Sequence, residues 1–135
     1  MTITPRQLLD YFVYIAPDFQ NFWDSDENLS IADDGTYNFH AVCSVFSHYF
    51  RDQSAFRDTT LLYEKEWTRN IDKDKLEKLF LFVEENMIEA GESENDLDNA
   101  LATCFLENIT HTKAADNARK FMGKKTRKYF DYWNV

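Results

Sequence analysis

Near the start of the chain, apolar residues recur every three or four positions, which is the period of an amphipathic helix. They are Leu8, Leu9, Phe12, Val13 and Ala16. Thr4 is a suitable N-cap, Pro5 suits the first helical position, and Pro17 ends or kinks the helix. A shorter helical piece over residues 18–23 is predicted to follow it.

The same period predicts further helical segments over most of the remaining chain. They cover residues 38–50, 54–70, 72–90, 94–111, 113–122 and 124–132. Asp72 is a plausible N-cap, and Ser93 followed by Asp96 resembles a capping box. Gly91 and Gly123 stand where two of these helices are expected to end or break.

The longest polar connection covers residues 24–36 and allows a short hairpin near residues 29–38. The chain has 135 residues but only three glycines and two prolines. Large sandwiches and barrels need many turns of the kind that glycine supplies, so this composition argues against them. We therefore expect a mostly α-helical, single-domain bundle of five to six helices over residues 1–135.

Two of the predicted helices are apolar on more than one face. Residues 79–83 are all apolar, and only Thr103 is polar between residues 100 and 106. A helix that is apolar all round is normally central, so the 72–90 and 94–111 helices are expected to pair antiparallel inside the bundle. The alternative is that Leu81 or Phe82 is exposed for a partner.

Charge narrows the classes of partner. The net charge is −9, and it divides into −14 over the first 112 residues and +5 over the last 23. Such an acidic protein is a poor ligand for nucleic acid or an anionic membrane, and a better one for a basic protein. Seven carboxylates gather at one helix-to-helix corner, which we call the acidic corner; the alternative is that it is simply solvated surface. The acidic corner consists of Glu84, Glu85, Glu89, Glu92, Glu94, Asp96 and Asp98.

The basic tail breaks a local rule. Lys124 and Lys125 follow Gly123 at the start of a predicted helix, where the helix dipole favours negative charge. We expect carboxylates of a neighbouring helix to compensate, with Glu107 as the best candidate. Glu107 is the lone charge in an apolar stretch, so it is expected to need Arg119 or Arg127 nearby if it is partly buried. The residues predicted to be structural here are Glu107, Arg119, Gly123, Arg127 and Trp133.

Catalytic and metal-binding motifs are not evident in the sequence. His40 and Cys43, and Glu107 and His111, have spacings that could place two ligands on one face, but neither pair has a matching companion. Nucleophile-elbow and phosphate-loop motifs are missing, so an enzyme, a metal and a cofactor are not expected. Cys43 and Cys104 are too few for a disulfide framework. The first residues do not read as a signal peptide, which favours the cytoplasm.

One family resemblance rests on three segments: the apolar helix ending near Glu84, residues 100–109 (ALATCFLENI), and residues 121–129 (FMGKKTRKY) with Trp133. Together they resemble a family of small helical bacterial proteins of formally unknown function, over residues 72–134. Some members of that kind sit in toxin-immunity loci, including those of contact-dependent growth inhibition.

The resemblance implies a cytoplasmic immunity protein that binds and neutralises a cognate toxin. Many such toxins are nucleases with basic grooves, which an acidic surface could cover. The runner-up is a helical adaptor or scaffold that binds another protein through the same surface. Genes beside this one would discriminate between the two. The aromatic residues that could anchor a partner are Tyr37, Phe39, Trp67, Phe82 and Trp133.

Overall fold

The computed structural model describes residues 3–25, 28–58, 71–87 and 96–135, which form seven α-helices and no β-strand. These are α1 Pro5–Ile15, α2 Phe19–Trp23, α3 Phe39–Asp58, α4 Lys73–Asn86, α5 Asp96–Ala100, α6 Lys113–Ala118 and α7 Lys124–Trp133. The prediction of a mostly α-helical bundle is confirmed. None of the helices in these ranges is both long and apolar enough to cross a membrane.

Capping residues set several helix boundaries. The Thr4 hydroxyl accepts a hydrogen bond from the backbone N–H of Gln7 (3.1 Å), and the Gln7 side chain accepts one from the N–H of Thr4 (2.9 Å). These reciprocal bonds form a capping box at the start of α1. Asp72 caps α4 by accepting from the N–H of Lys75 (2.9 Å). Both N-caps are as predicted.

Helix α4 ends four residues earlier than expected. It stops at Asn86, and Met87 adopts an extended conformation, so the predicted end at Ala90 is wrong. The predicted stop at Gly91 and the capping box that begins at Ser93 lie outside the described residues. The predicted 54–70 helix overlaps them too: residues 54–58 belong to α3, and 59–70 are not described.

The helix that begins with α5 changes its winding. It continues as a π-helix over Leu101–Leu106 and ends in a 3₁₀ turn, Glu107–Ile109. Side chains donate hydrogen bonds to backbone carbonyls in this segment. The Thr103 hydroxyl donates to the carbonyl of Asn99 (2.8 Å), and the Asn108 amide donates to the carbonyl of Cys104 (2.7 Å). Side-chain bonds of this kind compete with the ordinary helical pattern. The helix predicted over 94–111 is therefore present from Asp96 to Ile109, but only its first five residues are α-helical.

Helix α3 lies at the centre of the bundle and contacts α1, α2, α5 and α6. Its Phe46 stacks on Phe12 of α1 (4.1 Å between ring centroids) and lies 5.5 Å from Phe105. Helix α4 instead packs mainly on α1 and α7, although Phe80 reaches Phe105 (6.1 Å). The prediction of a central antiparallel pair formed by the 72–90 and 94–111 helices is thus wrong. Leu81 is 57% exposed, as the alternative prediction required, and its contact with a partner stays a prediction.

The predicted hairpin near residues 29–38 is a closed turn without strands. The N–H of Ala32 bonds to the carbonyl of Thr36 (2.9 Å), and the N–H of Gly35 bonds to the carbonyl of Ala32 (2.8 Å). Gly35 has φ +85°, a conformation that glycine adopts without steric cost. The extended pairing is missing because α3 begins at Phe39, only three residues after Thr36.

Candidate functional site

The acidic corner is only partly visible in the structure. Glu89, Glu92 and Glu94 lie outside the described residues, while Glu85 and Asp96 are exposed. Asp98 is only 3% exposed, so its prediction as a partner-binding residue is contradicted. Asp98 lies in the first turn of α5 on the side that packs into the bundle.

Glu84 is used inside the protein. Its carboxylate accepts hydrogen bonds from the N–H of Lys125 (3.1 Å), the N–H of Thr126 (2.8 Å) and the hydroxyl of Thr126 (2.8 Å). Burial by itself would raise the pKa of Glu84, but these bonds and the charge of Lys125 outweigh it and hold the pKa below its ordinary value. Its prediction as a surface residue for a partner is corrected: Glu84 caps α7.

Gly123 is needed at this joint for space. Its backbone is extended, with φ −76° and ψ −178°, which any residue can adopt. A Cβ atom at this position would lie 2.5 Å from Cδ of Glu84, however, which is closer than atoms can approach. Gly123 therefore lets the Glu84 carboxylate reach the first turn of α7, and Lys125 closes the joint by donating from Nζ to the carbonyl of Met87 (2.8 Å).

The expected pairing of Glu107 with an arginine is wrong. The Glu107 carboxylate accepts a hydrogen bond from the hydroxyl of Tyr129 (2.5 Å). Arg119 makes a two-pronged ion pair with Asp131 instead (2.8 and 2.6 Å). Arg127 donates to the carbonyls of Arg119 and Met122 (3.4 and 3.2 Å). A carboxylate from a neighbouring helix does compensate the positive charge at the start of α7, but it belongs to Glu84 and not to Glu107.

The predicted aromatic anchors differ in exposure. Phe82 is half-buried against Tyr11 (4.4 Å between centroids), and Tyr37 is half-buried against Trp23 (5.0 Å). Trp133, predicted to be structural, is 44% exposed. Phe39 is half-buried and Trp67 is not described.

A second acidic surface was missed by the prediction of site residues. We define the acidic loop as residues 28–36, which connect α2 to α3. Leu29 is 90% exposed and Ile31 is 37% exposed, beside the exposed carboxylates of Asp33 and Asp34. The signal in the sequence was two isolated apolar residues within a polar connection. A contiguous exposed apolar surface rimmed by polar residues is typical of protein-binding sites, and Leu29 and Ile31 with the neighbouring carboxylates are the candidate for one here.

The acidic loop is ordered by its own hydrogen bonds. The Asn28 amide donates to the carbonyl of Trp23 (2.8 Å), and Asn28 Oδ1 accepts from the N–H of Ser30 (3.0 Å). Asp34 accepts from the N–H (3.0 Å) and the hydroxyl (2.7 Å) of Thr36. These two bonds hold the pKa of Asp34 below its ordinary value, so this carboxylate stays charged.

The surroundings of the acidic loop reinforce its charge. Between residues 18 and 50 the chain contains six carboxylates and no lysine or arginine. Arg6, which interacts with Tyr37 just after the acidic loop, forms an ion pair with Asp10 (3.1 Å). The field of this segment is therefore negative, which attracts basic partners.

Metal ligands do not converge in the part of the chain that the structure describes: no three His, Cys, Asp or Glu side chains form a group that could hold a metal ion. The residue pairs that the sequence offered as possible metal ligands make other contacts instead. Cys43 is buried, and His40 lies against Cys104 of the π-helix. His111 has φ +65° and donates its N–H to Oδ1 of Asn134 (2.7 Å).

Comparison with known proteins gives a family but no function. No curated protein and no solved structure matches the chain significantly. A family profile matches residues 9–134, a range that includes the acidic loop, and it carries no link to toxin immunity. The chain belongs to the family described as Domain of unknown function (DUF7674).

Proposed function

We propose that this protein is a cytoplasmic immunity protein that binds one cognate antibacterial toxin, a nuclease, and blocks its basic active-site region. The acidic loop is the proposed contact surface. The observation that carries the proposal is its combination of exposed Leu29 and Ile31 with the charged side chains of Asp33 and Asp34 on an ordered backbone. The toxin as partner rests on the resemblance to proteins of immunity loci.

The chemistry of the two surfaces is complementary. A nuclease groove must hold phosphates, so it is rich in lysine and arginine. Carboxylates facing such a groove speed association and select the partner, while buried apolar contacts supply most of the affinity. An ordered loop also loses less conformational entropy on binding than a flexible one. An inhibitor of this kind needs no catalytic residue.

The acidic loop is favoured over the acidic corner for a geometric reason. In the described part of the corner, Glu84 is bound to α7 and Asp98 is buried, which leaves Glu85 and Asp96 at the surface. The acidic loop adds apolar side chains to its carboxylates. Both surfaces can be tested in the same experiment.

The test is co-expression with a candidate toxin domain from a gene beside this one, combined with binding kinetics on the purified proteins. Asp33→Lys should slow association several-fold at low ionic strength and flatten its salt dependence. Leu29→Asp should weaken binding about tenfold or more, because burying a leucine contributes about 1.5–3 kcal/mol. Both variants should rescue growth less well than the wild type.

Matched controls separate the two surfaces. Glu77→Lys makes the same charge change at an exposed position of α4 and should leave association unchanged. Reversal of Glu85, Glu89 and Glu92 to lysine tests the acidic corner; if only this variant slows association, the contact lies there. A wild-type protein that neither binds the neighbouring toxin nor rescues growth would contradict the immunity function and favour an adaptor.

A further inference from the structure

A cysteine and a histidine meet where α3 packs on the π-helix. Nδ1 of His40 lies 3.1 Å from Sγ of Cys104, and both side chains are partly buried. The hydroxyl of Thr103 lies 3.6 Å from the same sulfur. The two residues are 64 positions apart in the sequence, so packing of the helices creates this pair.

Such a contact changes what the thiol can do. The thiolate is the nucleophilic form of cysteine, and an imidazole within hydrogen-bonding distance can accept the thiol proton. The backbone around Cys104 is also unusual, because it winds as a π-helix over Leu101–Leu106. Short π-helical turns occur frequently at functional sites.

The second cysteine provides a contrast within the same protein. Cys43 is completely buried. Burial, and after it the neighbouring Cys104, raises the pKa of the Cys43 thiol well above its ordinary value. Cys43 is therefore expected to stay protonated and unreactive, whereas Cys104 is partly accessible and has a base beside it.

We propose that Cys104 is a modification site that forms a mixed disulfide with small disulfide molecules of the glutathione disulfide class, with His40 accepting the thiol proton. The sulfur of Cys104 attacks one sulfur of the disulfide. The old S–S bond breaks and a new one forms to Cys104, while the other half leaves as a thiolate that takes the proton held by His40. No other oxidant is required.

The mixed disulfide should persist on the protein. An internal disulfide would need attack by the Cys43 thiolate, and Cys43 is buried and protonated. Reversal then requires an external thiol. The proposal does not depend on the immunity function, because it concerns the contact between α3 and the π-helix alone.

The experiment is incubation of the folded, reduced protein with glutathione disulfide, followed by intact mass measurement and peptide mapping. We expect one glutathione per chain, at Cys104. Cys104→Ser should take up none, and Cys43→Ala should react at the wild-type rate. His40→Gln should react about tenfold more slowly, because no base beside the sulfur then accepts the thiol proton. Circular dichroism checks that each variant is folded.

Four results would overturn the proposal: no adduct, an adduct on Cys43, an unchanged rate in folded His40→Gln, or a slower reaction of Cys104 with iodoacetamide in the native protein than in the unfolded one. If His40→Gln does not fold, a second measurement on the wild type alone tests the role of His40. Cys104 should react with iodoacetamide faster in the native protein than in the protein unfolded by guanidinium at the same pH. A slower native reaction would mean that His40 does not activate the thiol.

Discussion

The joint between Glu84 and α7 gives the sharpest prediction on stability. Replacing Glu84 with alanine removes an N-cap, which costs about 1 kcal/mol. It also leaves the hydroxyl of fully buried Thr126 without its acceptor, at about 1–3 kcal/mol. Because the carboxylate is only partly buried and therefore screened, we expect the free energy of unfolding to fall by about 2 kcal/mol near pH 7. Urea denaturation followed by circular dichroism measures it.

Substitution of Gly123 tests the same contact between Glu84 and α7. In the wild type, Gly123→Ala places a Cβ 2.5 Å from Cδ of Glu84, so the carboxylate must leave its cap and stability should fall. In a Glu84→Ala background, the Cγ, Cδ and Oε1 atoms of Glu84 that block this place are gone. The substitution should then cost clearly less than it does beside Glu84, because only the small N-cap preference for glycine over alanine remains from this contact. The size of the effect therefore depends on the residue at position 84.

Gly35→Ala is the matched control. Gly35 has φ +85°, and no atom of the described residues lies within 4 Å of the place that an alanine Cβ would take. Alanine is therefore strained there by backbone conformation alone, and it should destabilise equally in both backgrounds. If Gly123→Ala also has the same effect in both backgrounds, Glu84 and Gly123 are not coupled and the proposed role of the cap is refuted.

The pH dependence supplies an independent test. The folded pKa of Glu84 is lowered, so its stabilising contribution is complete above the unfolded pKa of about 4.3 and is lost as pH falls through the folded value. The difference in unfolding free energy between the wild type and Glu84→Gln should therefore be largest near neutral pH and shrink below about pH 4. A difference that is constant from neutral to acidic pH would contradict the charge-based cap.

Three further substitutions test the tail, the core and an exposed position. Tyr129→Phe should cost about 1–2 kcal/mol, because the Glu107 carboxylate loses its donor. Burial, and after it Glu107, raises the pKa of Tyr129. The stabilising contribution of its hydroxyl is therefore complete below the unfolded tyrosine pKa of about 10 and is lost as pH rises towards the higher folded value. Denaturation at alkaline pH should show that Tyr129→Phe loses less stability with rising pH than the wild type does. Phe12→Ala should cost about 3–5 kcal/mol by removing the stack on Phe46, whereas Leu81→Ala, at a 57% exposed position, should change thermal stability little.

Local signals in the sequence were sufficient for the helix starts. Thr4 with Pro5, and Asp72, act within one turn of their own helix, so short-range rules apply to them. The break at Gly123 was also predictable. Its physical cause was not, because the limiting contact is with Glu84 on another helix.

Contacts between distant residues account for the errors. Glu84 is next to Glu85 in the sequence and so was grouped with an acidic surface, yet its partners are Lys125 and Thr126 about 40 positions away. The central helix was misplaced for a related reason. Hydrophobic periodicity shows that a helix has an apolar face, but it does not show which helix covers that face.

The division of charge along the chain has different consequences in its two regions. In the tail, some of the seven positive groups are used by the fold: Arg119 binds Asp131, and Lys125 and Arg127 donate to backbone carbonyls. Between residues 18 and 50 no lysine or arginine is available to neutralise the carboxylates, and the bonds on Asp34 keep it ionised. Asp131 thus neutralises Arg119, whereas the acidic loop contains no basic residue and keeps its attraction for basic partners. A net charge of −9 is for this reason a poor guide to binding, and the position of the unneutralised carboxylates is a better one.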